Sequence, residues 1–194
     1  MTGCATYKAN YDIGLKEVER PAQAKERYGN QEIARFQEGV VNKYFFEDEM
    51  IKAVWVMPTA YAISCVLTNK TNHSIKILWD KAAFVDENRV SQRVIHSGIT
   101  YSNHNNPQPP SVVVPNGTIQ DLVFPADRIR YVGGGMSGGW VKYPFFRKSI
   151  MRDISTREIS LFLQSLECII NENPSVRTEV IRQIYWGFLR VPLV

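Results

Sequence analysis

Residues 61–85 read YAISCVLTNKTNHSIKILWDKAAFV, and the reading of this stretch decides the fold class. Two apolar, β-branched runs flank a polar tract, Thr68-Asn69-Lys70-Thr71-Asn72-His73. Side chains alternate along a strand, so Tyr61, Ile63, Cys65 and Leu67 share one face of the first run. Ile75, Ile77 and Trp79 share a face of the second. Asn and Thr stabilise turns by hydrogen-bonding nearby backbone. The stretch therefore predicts a hairpin with one buried face in a β-rich core. It carries no chemistry of its own.

The same pattern repeats outward from it. Residues 43–49 and 50–57 are rich in aromatic and β-branched side chains and predict two strands, stopped at Pro58-Thr59. Residues 83–85, a turn at Asp86-Glu87-Asn88 and residues 90–95 predict a second hairpin. Residues 97–111, SGITYSNHNNPQPPS, predict a loop, because prolines and asparagines leave little room for regular structure. An extended run at 112–114, a turn at Pro115-Asn116-Gly117-Thr118 and a strand over 119–124 follow, ended by Pro125-Ala126-Asp127. The glycine-rich loop at 133–139 leads into Trp140-Val141-Lys142-Tyr143-Pro144-Phe145-Phe146. That aromatic cluster suits either a cap on the core or an exposed contact surface.

The C-terminal part supports two readings. Ser155-Thr156-Arg157-Glu158 fits a helix capping box, and Ile159, Phe162, Leu163, Leu166, Ile169 and Ile170 follow helical spacing. Alternatively, residues 159–163 and 184–191 form the closing strands that a β core needs, and Gly187 among aromatics disfavours helix by roughly 1 kcal/mol. Strands are the reading adopted, with a helical hairpin as the alternative. Several short strands with frequent turn signals give an all-β class, with an immunoglobulin-like β-sandwich over residues 41–194.

Hydrophobic residues make up 44% of the chain and charged residues 22%, enough apolar content to build a core without staples. The net charge of +4 is spread without blocks, so composition gives no support to nucleic-acid binding. No apolar run reaches the ~18 residues of a transmembrane helix. Residues 1–40 are polar and mixed, with a short helix expected over 21–28, from Pro21 in its first turn to Gly29-Asn30 at its end. They read as a tether with a helical spacer.

Met1-Thr2-Gly3-Cys4 resembles the end of a bacterial lipobox, with Met1 at the position usually held by Leu. The resemblance implies that Cys4 carries lipid and becomes the first mature residue, most of the signal segment lying upstream of the sequence given. Ala5 in place of Asp then implies sorting to the outer membrane, on its periplasmic face or at the cell surface. Cys65 and Cys168 are read as separate buried thiols, a disulfide between them being the alternative.

A wider resemblance rests on Asn69-Lys70-Thr71, Trp79-Asp80, Phe84-Val85-Asp86, His96-Ser97-Gly98, Pro109-Pro110-Ser111 and Pro115-Asn116-Gly117, followed by Asp121 and Pro125. In order and spacing this set, spanning about residues 43–140, is similar to a group of bacterial envelope lipoproteins of unknown function. The resemblance implies a location and a sandwich fold, and no activity.

Motifs for chemistry are sparse. His96 and His104 bracket a loop and could ligate a metal with Asp86 or Asp121, yet no HExxH or CxxC spacing occurs, so no metal or cofactor is expected. Neither Ser97-Gly98 nor Gly135-Met136-Ser137-Gly138-Gly139 forms a nucleophile elbow, and the glycine loop lacks the Lys of a phosphate cradle. No catalytic residue is assigned. Glu47-Asp48-Glu49 and Asp86-Glu87 read as solvated turns. The Asn-x-Ser/Thr triplets at Asn69, Asn72 and Asn116 read as turn chemistry in a bacterial protein.

Lys142, Arg147, Lys148 and Arg152 surround Tyr143, Phe145 and Phe146, an arrangement that suits anionic lipid, nucleic acid or simply a solvated face around packed rings. The expectation is a non-enzymatic, lipid-anchored module of the cell envelope. It meets the membrane through Cys4 and a protein or other envelope component through Trp140, Tyr143, Phe145 and Phe146. A soluble carbohydrate or small-ligand binder, with Trp140 and Tyr143 as a stacking platform, is the alternative. A hydrolase built on His96 ranks third.

Overall fold

The computed structural model describes residues 15–19, 25–26, 29–39, 41–86, 88–133, 138–145, 159–163, 166–170, 177–181 and 184–188, with backbone alone at 15–19, 41–42 and 159–188. Strands in chain order are β1 (Leu15–Glu19), β2 (Glu32–Glu38), β3 (Val41–Glu47), β4 (Ile51–Thr59), β5 (Ala62–Asn69), β6 (Ser74–Ile77), β7 (Ala82–Val85) and β8 (Ser91–His96). They continue as β9 (Ser111–Val113), β10 (Thr118–Pro125), β11 (Ile129–Val132), β12 (Gly139–Lys142), β13 (Ile159–Leu163), β14 (Leu166–Ile170), β15 (Arg177–Ile181) and β16 (Ile184–Phe188). Single 3₁₀ turns at Trp79–Lys81, Tyr101–Asn103 and Ala126–Arg128 join some of them.

The protein is all-β, and the described strands pair antiparallel. A ten-stranded sheet runs β1-β16-β13-β7-β8-β10-β5-β4-β3-β2, a four-stranded sheet runs β15-β14-β6-β9, and β11 and β12 form a ribbon of two. The buried faces of the two larger sheets supply a sandwich-like core: Phe46, Trp55, Ile63, Leu67, Phe84 and Ile95 from the first, Ile75 from the second. The C-terminal segments are strands. β13 pairs with β7 in the large sheet, and β14 pairs with β6 in the small one.

The 61–85 stretch folds differently from its expectation. Its predicted strands exist, and Ile63, Cys65, Leu67, Ile75, Ile77 and Trp79 are buried as the alternation requires. They do not form a hairpin. β5 lies between β4 and β10, while β6 lies between β14 and β9 in the other sheet. The polar tract is a crossover between sheets, held by Asn69. The Asn69 amide donates to the carbonyls of His73 (2.6 Å), Val113 (3.2 Å) and Val114 (3.0 Å), and its Oδ1 accepts from the backbone N and hydroxyl of Thr71. Satisfying these backbone groups through a fully buried side chain is what lets the chain leave one sheet for the other. Tyr61 belongs to the β4–β5 turn and is exposed.

The second expected hairpin forms, β7 on β8, with Asp86 Oδ1 accepting from the N–H groups of Asn88 and Val90. β4 continues through Pro58 to Thr59 across an irregularity after Val56, the kind of site where a strand tolerates proline.

The boundary expected at residue 40 is redrawn. β1 pairs with β16 and β2 pairs with β3, so residues 15–19 and 32–38 belong to the ten-stranded sheet and not to a tether. The expected helix is described only at Lys25 and Glu26; the rest of residues 21–28 lies outside the described residues. Gly29 ends that turn as expected, with φ at 71° and its N–H bonded to Lys25 O at 3.1 Å.

Candidate contact surface

One end of the molecule collects two segments that are far apart in sequence. β11 and β12 pair through Ile129 with Lys142, Arg130 with Val141, Tyr131 with Trp140 and Val132 with Gly139. Residues directly opposite share a face, so Tyr131 and Trp140 lie side by side, their rings 5.6 Å apart and edge to face. Trp140 also meets Tyr101 at 6.0 Å and His104 at 5.7 Å. Both come from the 97–111 loop. The glycine-rich hairpin and the proline-rich loop therefore form one surface.

The loop is tied down from below. Arg93 donates to His104 O (3.1 Å), to Asp80 Oδ1 (2.6 Å) and to Asn106 O. Gln108 donates its backbone N–H to Asp80 Oδ2 and its side-chain amide to Val94 O. Burial alone would raise the Asp80 carboxyl, but the Arg93 and Gln108 hydrogen bonds outweigh it and hold it below the usual range. The hairpin is fixed at its base, where Tyr143 N bonds Arg128 O at 2.7 Å and Phe145 N bonds Ala60 O at 2.9 Å. Those bonds bring the exposed Tyr61 of the β4–β5 turn to the same end.

The residues expected to make the contact separate. Trp140 and Tyr143 are 37% and 42% exposed. They do not form one platform, because their ring contacts fall on different neighbours: Trp140 on Tyr131, Tyr101 and His104, and Tyr143 under the Arg130 guanidinium at 5.9 Å. Phe145 is 1% exposed and stacks on Phe84 at 5.4 Å, so it belongs to the core and not to the surface. Burial removes its whole ring from water, which an exposed site would forgo. Phe146 and Cys4 lie outside the described residues, as do Arg147, Lys148 and Arg152. Tyr131, 58% exposed, and Tyr101 were missed in sequence; strand register places Tyr131 beside Trp140, and packing of the 97–111 loop places Tyr101 there.

Lys142 lies 4.5 Å from the Phe124 ring centroid and 5.3 Å from that of Tyr101. Its ammonium gains from the ring quadrupoles while its stem covers apolar surface. Arg128 is buried between Asp86 (4.0 Å) and Asp127 (3.8 Å). Burial pushes the Asp127 carboxyl up against the opposing pull of Arg128.

A second polar cluster lies inside the sandwich. His96 Nδ1 and Asp121 Oδ2 are 2.9 Å apart, and Asp121 Oδ1 accepts from the backbone N and the hydroxyl of Ser97 and from Leu122 N. Trp79 stacks on the His96 ring at 4.7 Å and 10°. The other side is closed by Gly98, where an added Cβ would come within 2.8 Å of His96 Cε1. The order of bonds is wrong for a nucleophile. The Ser97 hydroxyl donates to Asp121 and not to His96, and His96 Nε2 is buried without a hydrogen-bond partner. The cluster locks β8 to β10. His104 Nδ1 bonds Tyr101 O instead of joining it, and among the described residues no group of three His, Cys, Asp or Glu is placed to hold a metal.

Other expected features resolve as architecture. Cys65 is a free thiol, pushed far up by burial. Asn69 of the first Asn-x-Thr triplet is fully buried, so that side chain is inaccessible for modification. At the 47–49 turn Asp48 Oδ1 accepts from the N–H groups of Met50 and Ile51, and hydrogen bonds from Lys70 and then Lys52 hold Glu47 below the usual carboxylate range. No helix among the described residues is long and apolar enough to cross a membrane. No protein-family model, curated protein or solved structure matches the chain.

Proposed function

We propose that the protein is a non-enzymatic module of the bacterial cell envelope, anchored to the outer membrane by lipid on Cys4, that binds another envelope component. The observation that carries the binding half is the exposed surface where Tyr131, Trp140, Tyr101 and His104 meet. Loops and ribbons on a rigid β body are where binding residues concentrate. Tyr and Trp supply large contact area at low entropic cost and pair an apolar ring with a polar tip. The tied-down 97–111 loop presents the surface in one shape, which lowers the ordering cost of binding. The anchoring half is supported by Thr2-Gly3-Cys4 and by the resemblance to envelope lipoproteins.

The test is expression of the native precursor in a Gram-negative host. The intact mass of the N-terminal peptide is expected to show diacylglycerol and an acyl chain on Cys4, with the protein in the outer-membrane fraction. An unmodified, soluble product ends the anchoring half. A photo-crosslinker at position 140 is expected to trap an envelope component in cells, and crosslinks no richer than those from the exposed control position Val112 end the binding half.

The ring cluster also favours a second reading, a carbohydrate platform made by Trp140 with Tyr131. It predicts a change in fluorescence on titrating sugars that disappears in Trp140→Phe. The other tryptophans at 55, 79 and 186 make that subtraction necessary.

A further inference from the structure

The exposed apolar side chains of the β11–β12 ribbon are not confined to one face. Tyr131 and Trp140 stand on one side; Val132 and Val141 belong to the other by alternation, with Tyr143 beside Arg130 beyond the strand. All five are among the exposed large hydrophobic residues of the chain, and Tyr61 is exposed at the base of the same ribbon. A partner that packs against a single face would leave the other face in water. A medium that surrounds the ribbon withdraws both.

Charge points the same way. The sequence over 126–145 holds Arg128, Arg130 and Lys142 against the single acid Asp127, and residues 97–106 hold no acid. Arg128, Arg130 and Lys142 stand against two carboxylates, Asp86 and Asp127, a net charge of +1, with Arg130 and Lys142 the cations beside the exposed rings. The acidic 47–49 turn sits at the opposite end of β4, about 30 Å away at ~3.3 Å per residue. The end with the rings is the end that carries surplus positive charge.

Depth is limited by the backbone. Among the described residues β11 and β12 pair only with each other, so each presents an unpaired edge. Such edges are excluded from hydrocarbon and tolerated among headgroups and water. Tyr and Trp favour the same level, rings toward the acyl chains and polar tips outward, and Arg and Lys reach lipid phosphates from there.

We propose that the β11–β12 ribbon, with Tyr61 and Tyr101 at its base, docks at the headgroup level of an anionic phospholipid membrane. This rests on the reading of that end as the contact surface and names what it contacts. With lipid on Cys4, the ribbon is a second attachment that sets the orientation of the body on the bilayer. The diacylglycerol and acyl chain on Cys4 already hold the protein at the membrane, so the ribbon contributes orientation and not retention.

The experiment uses the full chain with Cys4→Ser, which removes the lipid without touching the ribbon. Sedimentation with vesicles of phosphatidylcholine alone, and of phosphatidylcholine with phosphatidylglycerol, measures partitioning. Binding is expected to the anionic vesicles and to weaken with salt. Arg130→Gln with Lys142→Gln is expected to weaken it roughly thirtyfold, from two charges near the surface. Tyr131→Ser with Trp140→Ser is expected to abolish it, while Val112→Ser, exposed elsewhere, leaves it unchanged. Thermal melts of each variant confirm that the fold persists.

Binding that survives all ribbon substitutions overturns the ribbon as the site. No binding to either vesicle overturns lipid as the occupant. Both results are distinct from failure of the contact-surface reading itself, which the position-140 crosslinks report.

Discussion

Asn69 holds together more backbone than any other side chain described above. Its amide reaches carbonyls of three residues and its oxygen caps Thr71, all without solvent access. Removing it strips a donor from each of these carbonyls, leaving Val114 O with Gly117 N–H and His73 O with the Thr71 hydroxyl, and hydrogen bonds lost at buried polar groups cost part of their desolvation. Asn69→Ala is expected to destabilise the protein by about 3 kcal/mol, read from urea unfolding. Asn69→Asp is expected to be at least as costly, because it sets a carboxylate against carbonyl oxygens. An Asn69→Asp protein as stable as the parent would show that the amide donors contribute nothing. The residue was visible in sequence as turn chemistry. Its two distant acceptors were not, because Val113 and Val114 lie more than forty positions away.

At the scale of elements, the ribbon and its tail divide one aromatic run between two roles. Trp140 and Tyr143 stay at the surface, while Phe145 plugs the core against Phe84. Phe145→Ala is expected to cost about 3–5 kcal/mol, the range for a buried Phe, through lost burial and the cavity left behind. Tyr143→Ala is expected to cost well under that, since its ring is already half in water. Thermal unfolding of the two variants side by side checks the division, and equal losses would refute it. Composition cannot draw this line, because period-two alternation names two faces without saying which is covered. The same limit explains the hairpin expected in 61–85. Two adjacent strands with a polar link usually pair, but here the buried Asn69 turn sends the second strand to the other sheet.

The whole molecule depends on its last fifth for closure. β13 continues the large sheet from β7, and β14 continues the small sheet from β6. Removing residues 154–194 exposes the edges of both strands, and unpaired edges promote association. The truncated chain is expected to lose its cooperative thermal transition and to aggregate, read by scanning calorimetry and light scattering. A monomeric, cooperatively folding 1–153 fragment would refute this dependence. The need for closing strands was legible as an argument about sheets, even though the helical periodicity of 159–170 competed with it. Strand pairing overrides that periodicity because each backbone donor must find a partner and the open edges of β6 and β7 offer them.

Sequence alone determined where most strands of residues 43–124 lie, which of their faces are apolar, where turns break them, and that the chain is all-β. It also placed the 97–111 loop. These follow from local rules: alternation, β-branched content and turn chemistry act over a few residues. Only the tertiary structure decided which strands pair, that residues 15–19 and 32–38 join the body, that His96 is locked on Asp121, and that Tyr101 and Tyr131 meet at Trp140. Backbone hydrogen bonding is the same for every strand, so the choice of partner is made by burial and closure of the whole core.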